Sequence, residues 1–149
     1  MSGERMLIAR AGAEYFAFPL GAVLEALDGA AVAPVPLVPR GVLGQCSHRG
    51  VLLPVLDPQA ALGSALSRSL DGGDLTILVM VADEPFAIAM DDVTDMITVD
   101  VGARRAVPAG ADRGGMIGGL LAHQGLLAAV VDLDALRTTA ASLLSPDTR

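Results

Sequence analysis

Apolar residues fall into short runs along this chain, separated by Gly, Pro and Asp. Phe16, Phe18 and Leu20 alternate with Ala17 and Pro19, a spacing that predicts a half-buried strand. Phe86, Ile88 and Met90 repeat that alternation further on. Three runs are continuously apolar: 51–56 (VLLPVL), 75–81 (LTILVMV) and 126–131 (LLAAVV). Their length and flanking turns predict strands covered on both faces, although the pattern alone also permits a buried helix. Arg49-Gly50 and Gln124-Gly125 each lie between two strand-like runs, where a Gly permits the positive φ of a tight hairpin. Asp57-Pro58 opens a short helical stretch, PQAAL, with Asp as the cap and Pro just inside it. Asp132 opens a longer helix over 133–144. Leu133, Leu136, Ala140, Leu143 and Leu144 form its apolar stripe, and Ser145-Pro146 stops it.

The chain also repeats itself. Residues 14–27 (EYFAFPLGAVLEAL) match 84–97 (EPFAIAMDDVTDMI) at an offset of 70, with Glu14 on Glu84, Phe16 on Phe86, Val23 on Val93 and Glu25 on Asp95. Val35-Pro36 returns as Val107-Pro108. Residues 41–62 are echoed by 115–136, where Gly50 and Asp57 meet Gly125 and Asp132 at an offset of 75. Because turn residues match as well as apolar ones, duplication explains the pattern better than a chance likeness of short strands. The expected organisation is a single domain over 1–149 made of two similar subdomains, 5–66 and 74–140. The stretch 63–73 connects them, and 101–115 is a second flexible segment rich in Gly and Arg. Short strands at near-regular spacing predict an all-β architecture. About five strands per half would let each small sheet close into a barrel, and two barrels packed together would share a core.

Length and charge narrow the function. With 149 residues, 52 % of them hydrophobic, the chain can bury a sizeable core without staples. Acidic residues outnumber basic ones 17 to 10, the basic residues are all Arg, and the net charge is −7. That balance, with no Trp, one Tyr and three Phe, argues against a nucleic-acid partner and against an oligonucleotide-binding barrel. One cysteine, Cys46, makes no internal disulfide and fits a reducing compartment. Charges at Glu4, Arg5 and Arg10 break up any signal-peptide apolar core. The longest apolar stretch, 116–131, is interrupted by glycines, His123 and Gln124 and is too short for a membrane span. A cytoplasmic chain without membrane insertion is expected.

Candidate chemistry is sparse. Cys46 and His48 are two apart, so on a strand they share a face, half of a thiol–imidazole or metal site at most. Asp57 and Asp132 have a complete explanation as helix caps. The acids Asp91, Asp92 and Asp95 lack the ligand spacing of a calcium loop and read as a solvated strand end. No phosphate-cradling glycine motif is present. The residue that breaks the internal symmetry is Arg49, whose repeat counterpart is Gln124. The duplicated scaffold does not require Arg there, which makes it the better functional candidate.

Taken together, GVLGQCSHRGVLLPVLDPQAALG (41–63) resembles the signature of CheW-like domains, adaptors of bacterial chemotaxis arrays. Gly44, Arg49, Gly50, Pro54, Val55 and Asp57 carry the match. EYFAFPLGAVLEAL with PVPLVP upstream, and IAMDDVTDMI and AAVVDLDALR downstream, are similar to further elements of that family, so the likeness runs from about residue 5 to 137. Ser47-His48 stands where the family has Asn-Leu, and Pro58 follows Asp57 where it has Leu. The resemblance implies two five-stranded SH3-like barrels with short helices and a C-terminal helix. It implies a non-enzymatic scaffold in two-component signal transduction that couples chemoreceptor cytoplasmic tips to the regulatory domain of a histidine kinase. No cofactor and no metal are implied. Arg49, Val23, Glu25, Val42, Leu43 and Ser47 are the partner-binding positions it suggests. The alternatives are a small β-barrel metal-binding or enzymatic module using Cys46 and His48, and an adaptor of a non-flagellar array serving surface sensing or pili.

Overall fold

The computed structural model describes residues 3–28, 32–65, 67 and 75–145. Its first half runs β1 (Gly3–Ala11), β2 (Glu14–Pro19), β3 (Val23–Asp28), β4 (Val42–His48), β5 (Val51–Leu56) and α1 (Pro58–Leu62). Its second half runs β6 (Thr76–Met80), β7 (Phe86–Met90), β8 (Asp92–Asp100), β9 (Ile117–His123), β10 (Leu126–Val131) and α2 (Leu133–Leu144). Each helix follows its expected cap. Asp57 Oδ1 accepts the Gln59 amide at 3.3 Å, and Asp132 Oδ1 accepts the Ala135 amide at 2.9 Å. The connection at 63–73 lies largely outside the described residues. The segment 101–115 holds a 3-10 turn (Val101–Ala103) and a bridge from Arg105 to Leu120.

The strands form two five-stranded sheets, in the orders β8-β1-β2-β10-β9 and β3-β6-β7-β5-β4. The all-β reading with two small barrels therefore holds. The assignment of one barrel to 5–66 and the other to 74–140 does not. β1 and β2 pair with β8 and β10 of the second half, while β6 and β7 pair with β3 and β5 of the first. The two halves exchange strand pairs, joined through short parallel ladders between β2 and β10 and between β5 and β7. A repeat shows which segments are alike. It does not show which of two like segments a strand pairs with.

The exchange explains the burial of the central strands. On β2, Phe16 and Phe18 face a core shared by both sheets, and Ala17 faces the interior of the first barrel. On β7, Phe86, Ile88 and Met90 face the shared core, while Ala87 and Ala89 face the interior of the second barrel. The alternation in sequence is thus one of size. Bulky side chains fill the junction, and alanines fit inside a narrow barrel. Both strands are buried on both faces, not half-buried as their spacing suggests. Leu20 lies beyond β2, in a 3-10 turn (Leu20–Ala22). α2 lays Leu136 and Ala140 on the shared core, with Leu133, Leu143 and Leu144 beside them.

The continuous apolar runs are not uniformly covered. β6 is buried throughout, but β5 and β10 begin with exposed pairs, Val51-Leu52 and Leu126-Leu127. These pairs sit at the hairpin ends, where the strands project past the core.

Candidate interaction surface

The β4–β5 and β9–β10 hairpins are built alike. Arg49 and Gly50 have φ of 54° and 81°, and Gln124 and Gly125 have 50° and 78°. Positive φ at both central positions is what a two-residue type I′ turn requires, and its twist matches that of the flanking strands. A Gly at the second position costs no steric strain, whereas Arg49 and Gln124 each hold a left-handed backbone.

Below each turn lies an acid–imidazole pair. His48 Nε2, on β4, is 2.7 Å from Glu25 Oε1 on β3. His123 Nε2, on β9, is 2.6 Å from Asp95 Oδ2 on β8. An ionised carboxylate only accepts, so Nε2 carries the donated proton in each case. β3 and β4 are the two ends of one sheet, and β8 and β9 are the two ends of the other. Each pair therefore spans the seam at which its sheet curls back on itself. The His123 hydrogen bond, aided by the Met96 amide on Oδ1, holds the Asp95 carboxyl below the usual carboxylate range.

The two surfaces share a plan and differ in charge. On the first, Leu24 is exposed on β3 beside Glu25 in sequence, and Val51 and Leu52 are exposed at the start of β5 opposite His48 and Ser47. On the second, Met96 is exposed on β8 next to Asp95 in sequence, and Leu126 and Leu127 are exposed at the start of β10 opposite His123 and Ala122. Arg49 extends from the first turn with its side chain 80 % exposed, its Nη2 3.8 Å from Glu25 Oε1. Neutral Gln124 takes its place on the second.

Not every sequence candidate reaches this surface. Glu25 and Arg49 are brought together, and exposed Ser47 lies beside them on β4. Val23 is half-buried against the shared core at the start of β3. Val42 and Leu43 begin β4, about 20 Å from the turn at the usual rise per residue. Val42 packs on the shared core and Leu43 on the interior of the second barrel. What the sequence reading missed is His48 and His123 as partners of the acids. The repeat offsets held the signal, since both acids and both imidazoles fall on equivalent positions.

Cys46 points into the second barrel, and burial pushes its thiol up. Among the described residues no group of three or more His, Cys, Asp or Glu is arranged to hold a metal ion. No described helix is long and apolar enough to cross a membrane.

Beside β4, residues 32–33 form a short extra edge. Ala33 and Gln45 exchange backbone hydrogen bonds of 2.8 and 3.0 Å. Gly44 makes the approach possible, because a Cβ there would collide with the Ala33 carbonyl oxygen. Arg105 and Leu120 make the equivalent exchange beside β9, also at 2.8 and 3.0 Å.

Comparison with known proteins agrees with this architecture. The chemotaxis protein CheW of Rhizobium meliloti (strain 1021) is 30 % identical over 137 residues, covering 89 % of this chain and 87 % of the relative. The crystal structure of the scaffolding protein TtCheW from Thermoanaerobacter tengcongensis superposes with a TM-score of 0.74 at 16 % identity, over 91 % of this chain and 88 % of that one. Residues 5–140 match the family described as the CheW-like domain. On that match, which spans nearly the whole chain, this protein belongs to the CheW-like domain family.

Proposed function

We propose that this protein is a chemotaxis scaffold that couples chemoreceptor cytoplasmic tips to the regulatory domain of a histidine kinase, by contact and without catalysis. The family match over 5–140 carries this reading. The hairpin surfaces support it. Each has an exposed apolar pair just after the turn and an acid–imidazole pair beneath it, a mix of apolar and polar groups suited to reversible docking. A scaffold of this kind works in the cytoplasm, gathered at receptor arrays on the membrane. It transmits a signal because its partners' two states contact it differently. Arg49 is the side chain assigned to the contact, and Glu25 and Ser47 flank it.

The test is a titration of the purified protein with a chemoreceptor tip and with the kinase regulatory domain of the same organism. Binding to both is expected, and binding to neither overturns the proposal. Arg49→Glu is expected to weaken binding roughly tenfold or more, as loss of a central charged contact does. Its melting temperature should stay near the parent's, since the side chain lies on the surface.

A further inference from the structure

We propose that His48 is a positioning residue of the first docking surface: it anchors Glu25 across the barrel seam, and His123 does the same for Asp95 on the second. This rests on the scaffold reading for what the surface binds, but the seam itself can be tested without a partner.

Three observations carry it. First, the same contact is built twice. His48 to Glu25 is 2.7 Å and His123 to Asp95 is 2.6 Å, at positions related by the internal repeat. The contact persists in both copies of the repeat although the acid is Glu in one and Asp in the other. Second, each pair joins the two end strands of its own sheet. No ladder is formed between β3 and β4 or between β8 and β9 among the described residues. The side-chain bond thus holds the seam at this level, where backbone pairing does not. Third, both imidazoles are mostly sheltered, with side chains 13 % and 22 % exposed, while their acids are more open at 39 % and 38 %. The ring is the fixed member and the carboxylate the presented one.

The consequence for docking is geometric. Glu25 Oε1 faces both His48 and Arg49. In the anchored position that oxygen is 2.7 Å from His48 Nε2 and 3.8 Å from Arg49 Nη2, a loose pair that leaves the Arg49 side chain 80 % exposed. Without the imidazole, Glu25 would be free to close on Arg49 in a direct hydrogen bond and take up donors a partner needs. Among the described residues no other charged group comes within ion-pair distance of either acid. On the second surface Gln124 offers no cation to mask, so His123 secures the seam alone.

Two variants separate positioning from simple packing. His48→Gln keeps a side-chain N–H donor able to reach Glu25. His48→Leu fills similar space without one and restores the residue that the family signature carries there. Two quantities are read for each: affinity for the kinase regulatory domain, and hydrogen exchange of the β3 and β4 backbone amides, which reports local opening of the seam. His48→Leu is expected to lose roughly tenfold in affinity, the scale of one charge-assisted hydrogen bond, and to exchange faster at the seam. His48→Gln is expected to stay within about twofold of the parent in both. Parent-like behaviour of His48→Leu in both readouts overturns the proposal. So does weakened binding with an unchanged seam, which would make His48 a direct contact. If the parent binds no kinase domain, the scaffold reading fails and the exchange data alone decide. Should His48→Leu fail to fold, Glu25→Gln, which keeps an acceptor, against Glu25→Leu answers the same question from the other side of the bond.

Discussion

The two hairpin surfaces are an internal experiment. Both have a type I′ turn, a Gly at its second position, an exposed apolar pair after it and an acid–imidazole bond beneath it. What both retain is what the barrel needs to form a tight hairpin and hold its seam. What differs is what the fold leaves open, chiefly Arg49 against Gln124 and the closeness of the extra edge, tight at Gly44 and looser at Gly119. The shared features belong to the scaffold, and the differences mark positions that the scaffold leaves free to vary.

The largest effects should be symmetric. Phe16 and Phe86 are repeat counterparts, and both lie in the core shared by the barrels. Phe16→Ala and Phe86→Ala are each expected to cost about 3–5 kcal/mol in urea unfolding, and to leave a single transition. Two separate transitions, each shifted by one variant only, would break the picture of interlocked barrels. The next effect should be asymmetric. Gly44→Ala drives a methyl into the Ala33 carbonyl and is expected to cost about 1–3 kcal/mol in thermal melts. Its counterpart Gly119 has its nearest neighbours at 3.5 Å, so Gly119→Ala should stay within about 0.5 kcal/mol of the parent. Equal losses at the two sites would mean the extra edges are equivalent after all.

A smaller effect concerns acid. The Asp95 carboxyl is held below its ordinary range by the His123 hydrogen bond. Such a group stabilises the fold above its unfolded pKa, about 3.9, and that contribution is lost as the pH falls through the lower folded value. The parent should therefore exceed Asp95→Asn in stability near neutrality, with the two curves converging in acid. Denaturant midpoints measured across the acid range check this, and parallel curves would remove Asp95 from the seam. The smallest effect is at the turns. Asn tolerates the left-handed backbone better than Arg or Gln, so Arg49→Asn and Gln124→Asn should each gain less than about 1 kcal/mol. Only the change at Arg49 is expected to alter partner affinity, and a matching loss at Gln124 would argue that both turns dock.

Much of this was legible in the residues. The repeat placed Gly50 on Gly125 and Asp57 on Asp132, and the structure uses them as turns and caps in both halves. The C-terminal helix and its stripe followed from 3.6-residue spacing. Two things were not legible, for different reasons. Strand exchange escaped because a strand's own pattern records which faces are buried, not which neighbour buries them. The alternating Phe and Ala of β2 look half-buried until the second barrel is placed on the other face. The acid–imidazole pairs escaped because Glu25 and His48 are far apart in sequence, and curling of the sheet brings them together. For the same reason Val42 and Leu43, close to Arg49 along the chain, lie well away from it along β4.

The exchange of strands also has a consequence in time. β1 and β2 are made first, yet β8, β9 and β10, which complete their sheet, lie near the other end of the chain. On the order of 100 residues separate β2 from β10, roughly 5–20 s of synthesis at usual rates. The other sheet is complete by Met90 and can receive Phe16 and Phe18 early, but Met6 and Ile8 have no closed barrel interior until β10 arrives with Ala128 and Val130. The interlocked barrels thus begin as an apolar hairpin that waits for the last strands of its own sheet.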